Sequence, residues 1–130
     1  MEDTHEPYVY PQENGAHEDT RYLAVADSRG AALVIAGDCF SFSAHDYTPE
    51  MLEAAAHDDE IVRSENVTLL IDGAMGGLGT ASCGPAAAER FCLYLKEKRS
   101  FRFAILPCDL QTVSVAAAGR LCESRVKEGK

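Results

Sequence analysis

An all-β, mainly antiparallel domain with one short helix near residues 49–56 is the fold class that the sequence predicts. Three observations carry it. Short apolar or alternating runs recur at 21–27, 31–36, 39–43, 67–72 and 101–106, each bounded by turn residues. One stretch, opening at Thr48-Pro49-Glu50, carries a clear helix start. The run 67–85, VTLLIDGAMGGLGTASCGP, begins as a strand and ends as a glycine loop. Such a loop brings main chain close to a ligand, a neighbouring domain or another strand.

In chain order, residues 1–19 carry six acidic side chains and no Lys or Arg. Pro7 and Pro11 bracket Tyr8-Val9-Tyr10, which reads as a short edge strand or an extended lead-in. Asn14-Gly15 is a turn signal. Arg21–Asp27 alternates as a strand, and Ser28-Arg29-Gly30 turns the chain. Ala31–Ala36 is apolar throughout and is expected to be buried on both faces. Gly37-Asp38 is expected to close it, with Cys39–Ser43 a third strand of one meander. Thr48 caps a helix with Pro49 at its first position, and 57–60 ends it in a polar cluster. Val67–Asp72 alternates and is a strand. Pro85 followed by AAAERFCLYLKEK is locally helical in preference. Phe101–Leu106 is a strand. The tail, 108–130, is expected to be a loose helix or disordered.

Composition excludes several classes. At 130 residues the chain holds one domain with a real core. A formal charge of −9 argues against nucleic acid and against an anionic membrane surface. No apolar run approaches the roughly 20 residues of a spanning helix. The first ten residues lack the basic and apolar regions of a signal peptide. The five cysteines are odd in number and form no CxxC pair, which fits free thiols in a reducing cytoplasm.

The strand, glycine loop and possible helix of 67–106 outline a nucleotide-binding unit. There is no GxGxxG register and no Lys-Ser/Thr pair, so a structural or interdomain loop is the preferred reading. His45, Asp46, His57, Asp58, Asp59 and Glu60 flank the short helix and invite a metal or acid–base reading. A solvated helix surface with capping charges is the preferred one, and no metal site is expected. His5 and His17 in the acidic leader are expected to be exposed. Cys83 has no activating base beside it in sequence, so packing or lining outweighs a nucleophile. Glu13 and Asn14 could present polar groups to a sugar, although a turn is the default.

Four ordered segments carry a resemblance to a known family. They are Tyr8–Gly15 with Thr20-Arg21; Phe40–Ala44 running into Tyr47-Thr48-Pro49-Glu50 and Leu52; His57 with Glu60; and Val67–Asp72 running into Met75-Gly76-Gly77-Leu78-Gly79, Ser82-Cys83-Gly84-Pro85 and Phe101-Arg102-Phe103. Together they resemble the C-terminal part of a large bacterial β-galactosidase of glycoside hydrolase family two.

The resemblance implies a fold: residues 1–107 would be the C-terminal part of a β-supersandwich similar to the galactose mutarotase fold, and 108–130 a variable tail. It also implies that 86–98 joins or forms strands against its local preference. By the same resemblance the parent enzyme hydrolyses terminal β-galactosides, such as lactose, with retention. Both reactive glutamates, with magnesium and sodium nearby, would lie in a central TIM barrel that this chain lacks. No cofactor is expected in the chain, which alone should be inactive. Its expected partners are that barrel and the galactoside. Self-association through exposed strand edges is also expected. Met75, Gly76, Gly77 and Cys83 would belong to a loop at the rim of the substrate pocket, with Glu13 and Asn14 as possible secondary contacts. The competing class is a stand-alone carbohydrate-binding β-sandwich without catalysis.

Overall fold

The computed structural model describes residues 4–76, 84–94, 96 and 98–128. It contains a four-stranded antiparallel sheet built from β1 (His17–Ala26), β2 (Ala31–His45), β3 (Thr68–Asp72) and β4 (Phe103–Asp109). β2 neighbours β1, pairs β4 along its first half and pairs β3 along its last five residues. Two helices accompany the strands: α1 (Pro49–Ala54) and α2 (Val115–Glu128). The chain divides into two compact units, one of residues 1–18 and 41–72, the other of 19–40 and 73–130.

In the second unit the β1–β2 turn forms as its sequence demands. The Asp27 carboxylate accepts from the backbone N–H of Arg29 and Ala31 at 2.9 and 3.0 Å and from Arg29 Nε at 3.0 Å. The Arg29 side chain, first among these donors, holds the Asp27 carboxyl below the usual range. Gly30 adopts φ +94°, which a side chain would strain. The turn after β4 is laced to it, with Leu110 N–H donating to Gly30 O at 2.8 Å and Gln111 Nε2 to Arg29 O at 2.6 Å.

Gly37 and Asp38 do not end a strand, contrary to the sequence reading. The two short runs expected at 31–36 and 39–43 are one 15-residue strand. Gly37 pairs with Phe103, and a Cβ on it would lie 2.7 Å from Arg102 O. Glycine is there for close approach to the neighbouring strand rather than for a turn. Asp38 N–H keeps the ladder going by donating to Arg102 O at 3.1 Å. β4 in turn runs past Leu106 to Asp109. Its Pro107 is tolerated because β4 has β2 as its only paired neighbour among the described strands.

The core of this unit lies on one face of the β2–β4 ladder. Val34, Ala36, Ala118 and Cys122 are buried together, with Tyr22, Ala104, Leu106 and Cys108 packed around them. The described part of the tail is therefore ordered: α2 covers the sheet. Ser114 Oγ accepts from Ala117 N–H at 3.2 Å as an N-cap, and Arg125 and Lys127 suit the last turn. Ala118, Gly119 and Cys122 fall on one helical face and are the buried residues of α2. Burial pushes the Cys122 thiol upward in pKa, and its Sγ donates to Ala104 O at 3.1 Å. Ala31–Ala36 is buried on both faces only in part: Ile35 is 3% exposed, but Leu33 on the same face is 48% exposed, and on β4 Phe103 and Ile105 are 46% and 53% exposed.

The described residues of 86–98 adopt neither of the two expected structures. Glu89–Phe91 is a single 3-10 turn, and the described residues 92–94 belong to no strand.

In the first unit Thr48 caps α1 as read, its hydroxyl accepting from Met51 N–H at 3.3 Å with Pro49 opening the helix. Tyr47, Leu52, Ala55 and Ile61 form a small core that Met51 flanks. β3 pairs with the end of β2 from Ser41↔Asp72 to His45↔Thr68.

The fit of α2 to the sheet is testable. A Cβ on Gly119 would sit 2.5 Å from Tyr22 Cγ. Gly119→Val should lower stability by about 1–3 kcal/mol through overpacking, read as a shift in the denaturant midpoint. An unchanged midpoint would mean that α2 does not pack as described.

Candidate functional site

The densest polar arrangement among the described residues is in the first unit, around Tyr47. The ring is 3% exposed. A phenol buried this way needs a partner for its hydroxyl. It has two: Asn14 Nδ2 donates to it at 3.3 Å, and His5 Nδ1 lies 2.9 Å away. His5 Nε2 sits 2.7 Å from Asp58 Oδ1. An ionised carboxylate only accepts, so His5 Nε2 carries the hydrogen. In that tautomer Nδ1 accepts a hydrogen bond from the Tyr47 hydroxyl, and the chain of bonds Tyr47–His5–Asp58 is satisfied in one direction. Burial, the largest cause, raises the Tyr47 pKa.

The surroundings hold these bonds in place. The His45 ring stacks on Tyr47 at 4.6 Å between centroids, and the Arg63 guanidinium carbon lies 5.7 Å from the Tyr47 centroid. Arg63 is fixed by a 2.8 Å bond to Asp46 Oδ1. His45 Nε2 bonds to Asn14 O at 2.9 Å, so it carries the hydrogen. Asn14 Oδ1 accepts from Glu6 N–H at 3.0 Å, and Nδ2 also donates to Gln12 O at 2.9 Å. Gly15 follows with φ +67°, and a Cβ there would meet Thr4 O at 2.5 Å and the His45 ring at 2.9 Å. Chemically this cluster is a clamp: it ties residues 5–15 onto 44–63.

Glu60 sits at the end of the same region. Its carboxylate accepts from Ala56 N–H at 2.9 Å and His57 N–H at 3.2 Å, and the Ala56 bond leads in holding its pKa below the usual range. The 3-10 turn Asp58–Glu60 is thereby fixed, and Asp58 is set toward His5.

The structure distributes the sequence-derived candidates unevenly. Asn14 is at the centre of the clamp, and Glu13 beside it is exposed. His5 is not exposed as expected: its side chain retains 7% of its surface. His17 is exposed on β1 and stacks on Phe42 at 4.8 Å. In the second unit Met75 and Gly76 are exposed, and a Cβ on Gly76 would be 3.6 Å from Leu93. Gly77 and Cys83 lie outside the described residues. Tyr94, Lys96, Lys98 and Arg99 line an open basic depression, all of them exposed. Among the described residues Cys39, Cys92, Cys108 and Cys122 are free thiols, and no three His, Cys, Asp or Glu side chains converge as metal ligands. No described helix is long and apolar enough to cross a membrane.

Sequence reasoning missed Tyr47 as a hub. Its partners Asn14 and His5 stand 33 and 42 residues away along the chain, so no local spacing marks them. The available signal was Tyr47 itself, an aromatic just before the cap of a short amphipathic helix.

The four segments that carry the family resemblance meet their structural context here: Asn14-Gly15 in the clamp, Tyr47-Thr48-Pro49 at the α1 cap, His57 with Glu60 at the 3-10 turn, and Thr68–Asp72 as β3. A family model described as "Beta galactosidase small chain" matches residues 1–105. The chain belongs to the β-galactosidase small-chain family. Relatives bear this out. The chain is similar to a protein named beta-galactosidase from Actinobacillus pleuropneumoniae, 35% identical over 102 residues, 78% of this chain and 10% of the relative. It is also similar to one from Staphylococcus xylosus, 32% identical over 91 residues, 70% of this chain and 9% of the relative. A third, from Streptococcus thermophilus, is 30% identical over 110 residues, 82% of this chain and 11% of the relative. The chain thus spans about a tenth of the length of the curated relatives it matches.

The clamp makes a measurable claim on the small-chain segment. Tyr47→Phe leaves His5 Nδ1 and Asn14 Nδ2 without their shared oxygen and should cost about 1–3 kcal/mol. Proteolysis within 6–13 should accelerate, because the loop loses its anchor. Wild-type cleavage rates and an unchanged unfolding midpoint would contradict the hub role.

Proposed function

We propose that this chain is the terminal-domain segment of a β-galactosidase that hydrolyses terminal β-D-galactosides, such as lactose, with retention. The observation that carries the reading is the family match over residues 1–105, against relatives ten times longer that are named beta-galactosidase. In the assembled enzyme a carboxylic acid protonates the glycosidic oxygen while a second carboxylate attacks the anomeric carbon. Both belong to the barrel portion, as do the magnesium and sodium sites. The segment supplies support and a rim loop over Met75, Gly76, Gly77 and Cys83, and by itself it does not hydrolyse galactosides. Exposure of Met75, Phe91 and Leu93 supports a surface that the remainder of the enzyme or the sugar covers.

The test is a graft. This chain replaces the matching segment of the Actinobacillus pleuropneumoniae β-galactosidase, and lactose hydrolysis is followed. The graft should hydrolyse lactose, and the isolated chain should not. Cys83→Trp in the graft should change kinetics with sugar acceptors, because a broad aromatic face stacks on a pyranose and a thiol does not. An inactive, folded graft would refute the functional reading; kinetics unchanged for every acceptor would refute the rim role alone.

The chain also has a partly uncovered apolar sheet face, with Leu33, Phe103 and Ile105 half-exposed around the buried Ile35 on the β2–β4 ladder. We propose that it self-associates through this face and the neighbouring strand edges. Light scattering should show mass rising with concentration, and Leu33→Glu with Ile105→Lys should suppress the rise. A monomer throughout the range would refute it.

A further inference from the structure

The loop between the two arms of the clamp has a consequence for assembly. Residues 6–14 leave and return at one place: Glu6 N–H donates to Asn14 Oδ1 at 3.0 Å, and the flanking His5 and Asn14 both reach the Tyr47 hydroxyl. Its tip is Tyr8-Val9-Tyr10, with Val9 87% and Tyr10 69% exposed and Tyr8 also open. A partly buried polar network thus holds an apolar tip out in solvent. For a loop whose role was only to connect, burying the tip or making it polar would be the lower-energy solution. Clamping removes most of the entropy that the loop would otherwise lose on docking.

We propose that the Tyr8–Tyr10 tip is a docking plug that seats in an apolar pocket on the remainder of the β-galactosidase polypeptide. The inference rests on the functional reading above. Three features select that occupant. Tyrosine is the residue type enriched at the buried centres of protein interfaces. Glu6 and Glu13, both exposed, flank the tip as an acidic rim, so the matching pocket has an apolar floor and a basic or neutral edge. The relatives carry about nine-tenths of their length outside the matched segment, which is where such a pocket would be. A polyanion does not fit, because the tip carries acid and no base.

Hydroxyl-radical footprinting tests this on two intact proteins: the isolated 130-residue chain, across a concentration series, and the grafted β-galactosidase. Lactose hydrolysis by the graft is read in parallel. Tyr8 and Tyr10 should react readily in the isolated chain at every concentration and lose most of that reactivity in the graft. Tip tyrosines as reactive in an active graft as in the isolated chain would overturn the plug and leave the functional reading standing. Protection that appears in the isolated chain as concentration rises would overturn it in favour of a second copy. A folded graft with a protected tip but no lactose hydrolysis would support the plug while refuting the galactosidase reading.

Discussion

One buried hydroxyl sets the arrangement of the first unit. Tyr47 brings a large apolar ring to the small core with Leu52, Ala55 and Ile61, and the ring carries an oxygen that cannot be left unpaired there. Satisfying it recruits His5 and Asn14 from the start of the chain. Satisfying His5 then recruits Asp58, whose position depends on the short turn that Glu60 closes. The described N-terminal segment, residues 4–16, has few apolar side chains turned inward and contains no strand. It is held by polar bonds in a site of low dielectric, where such bonds are strong and their loss is costly.

The second unit solves a different problem. β2 and β4 form a ladder whose one face is closed by α2 with small residues. Ala118, Gly119 and Cys122 allow the helix to lie close, so that Tyr22 packs directly over the Gly119 backbone. The other face buries Ile35 but remains half-open at Leu33, Phe103 and Ile105. An antiparallel sheet often has one solvated face, but that face is ordinarily polar. Here it is aliphatic and aromatic, the composition of a surface meant for another layer.

The legibility of this fold follows the range of the interactions. Elements fixed by neighbours in sequence were readable: the Thr48-Pro49 start of α1, the Asp27–Gly30 turn, and strands with clear alternation. Gly37-Asp38 misled because the same dipeptide serves a turn or a close strand approach, and only Phe103 across the ladder decides between them. α2 was hard to read because its buried face is made of Ala, Gly and Cys, which give little contrast against the polar face. The helix preference of 86–94 and the strand expected from resemblance both gave way to a 3-10 turn and irregular chain. The clamp was out of reach for a stronger reason. Its members are polar residues of ordinary kinds, spread across half the chain, and nothing before folding ties His5 to Asp58.

The two units share a pattern that bears on function. Each is internally satisfied in its polar groups: among the described residues no buried side-chain nitrogen or oxygen lacks a partner. Each nevertheless leaves apolar surface uncovered, the tip at Val9 and Tyr10 in one, the β2–β4 face in the other. Polar debts settled within the segment and apolar surface left open are what a stable interface needs, since unpaired polar groups would oppose association while uncovered apolar area drives it. On the function proposed above, a small-chain segment of this kind would gain stability by joining a larger polypeptide. On the same reading, that division places rigidity in the clamp and affinity in the apolar surfaces.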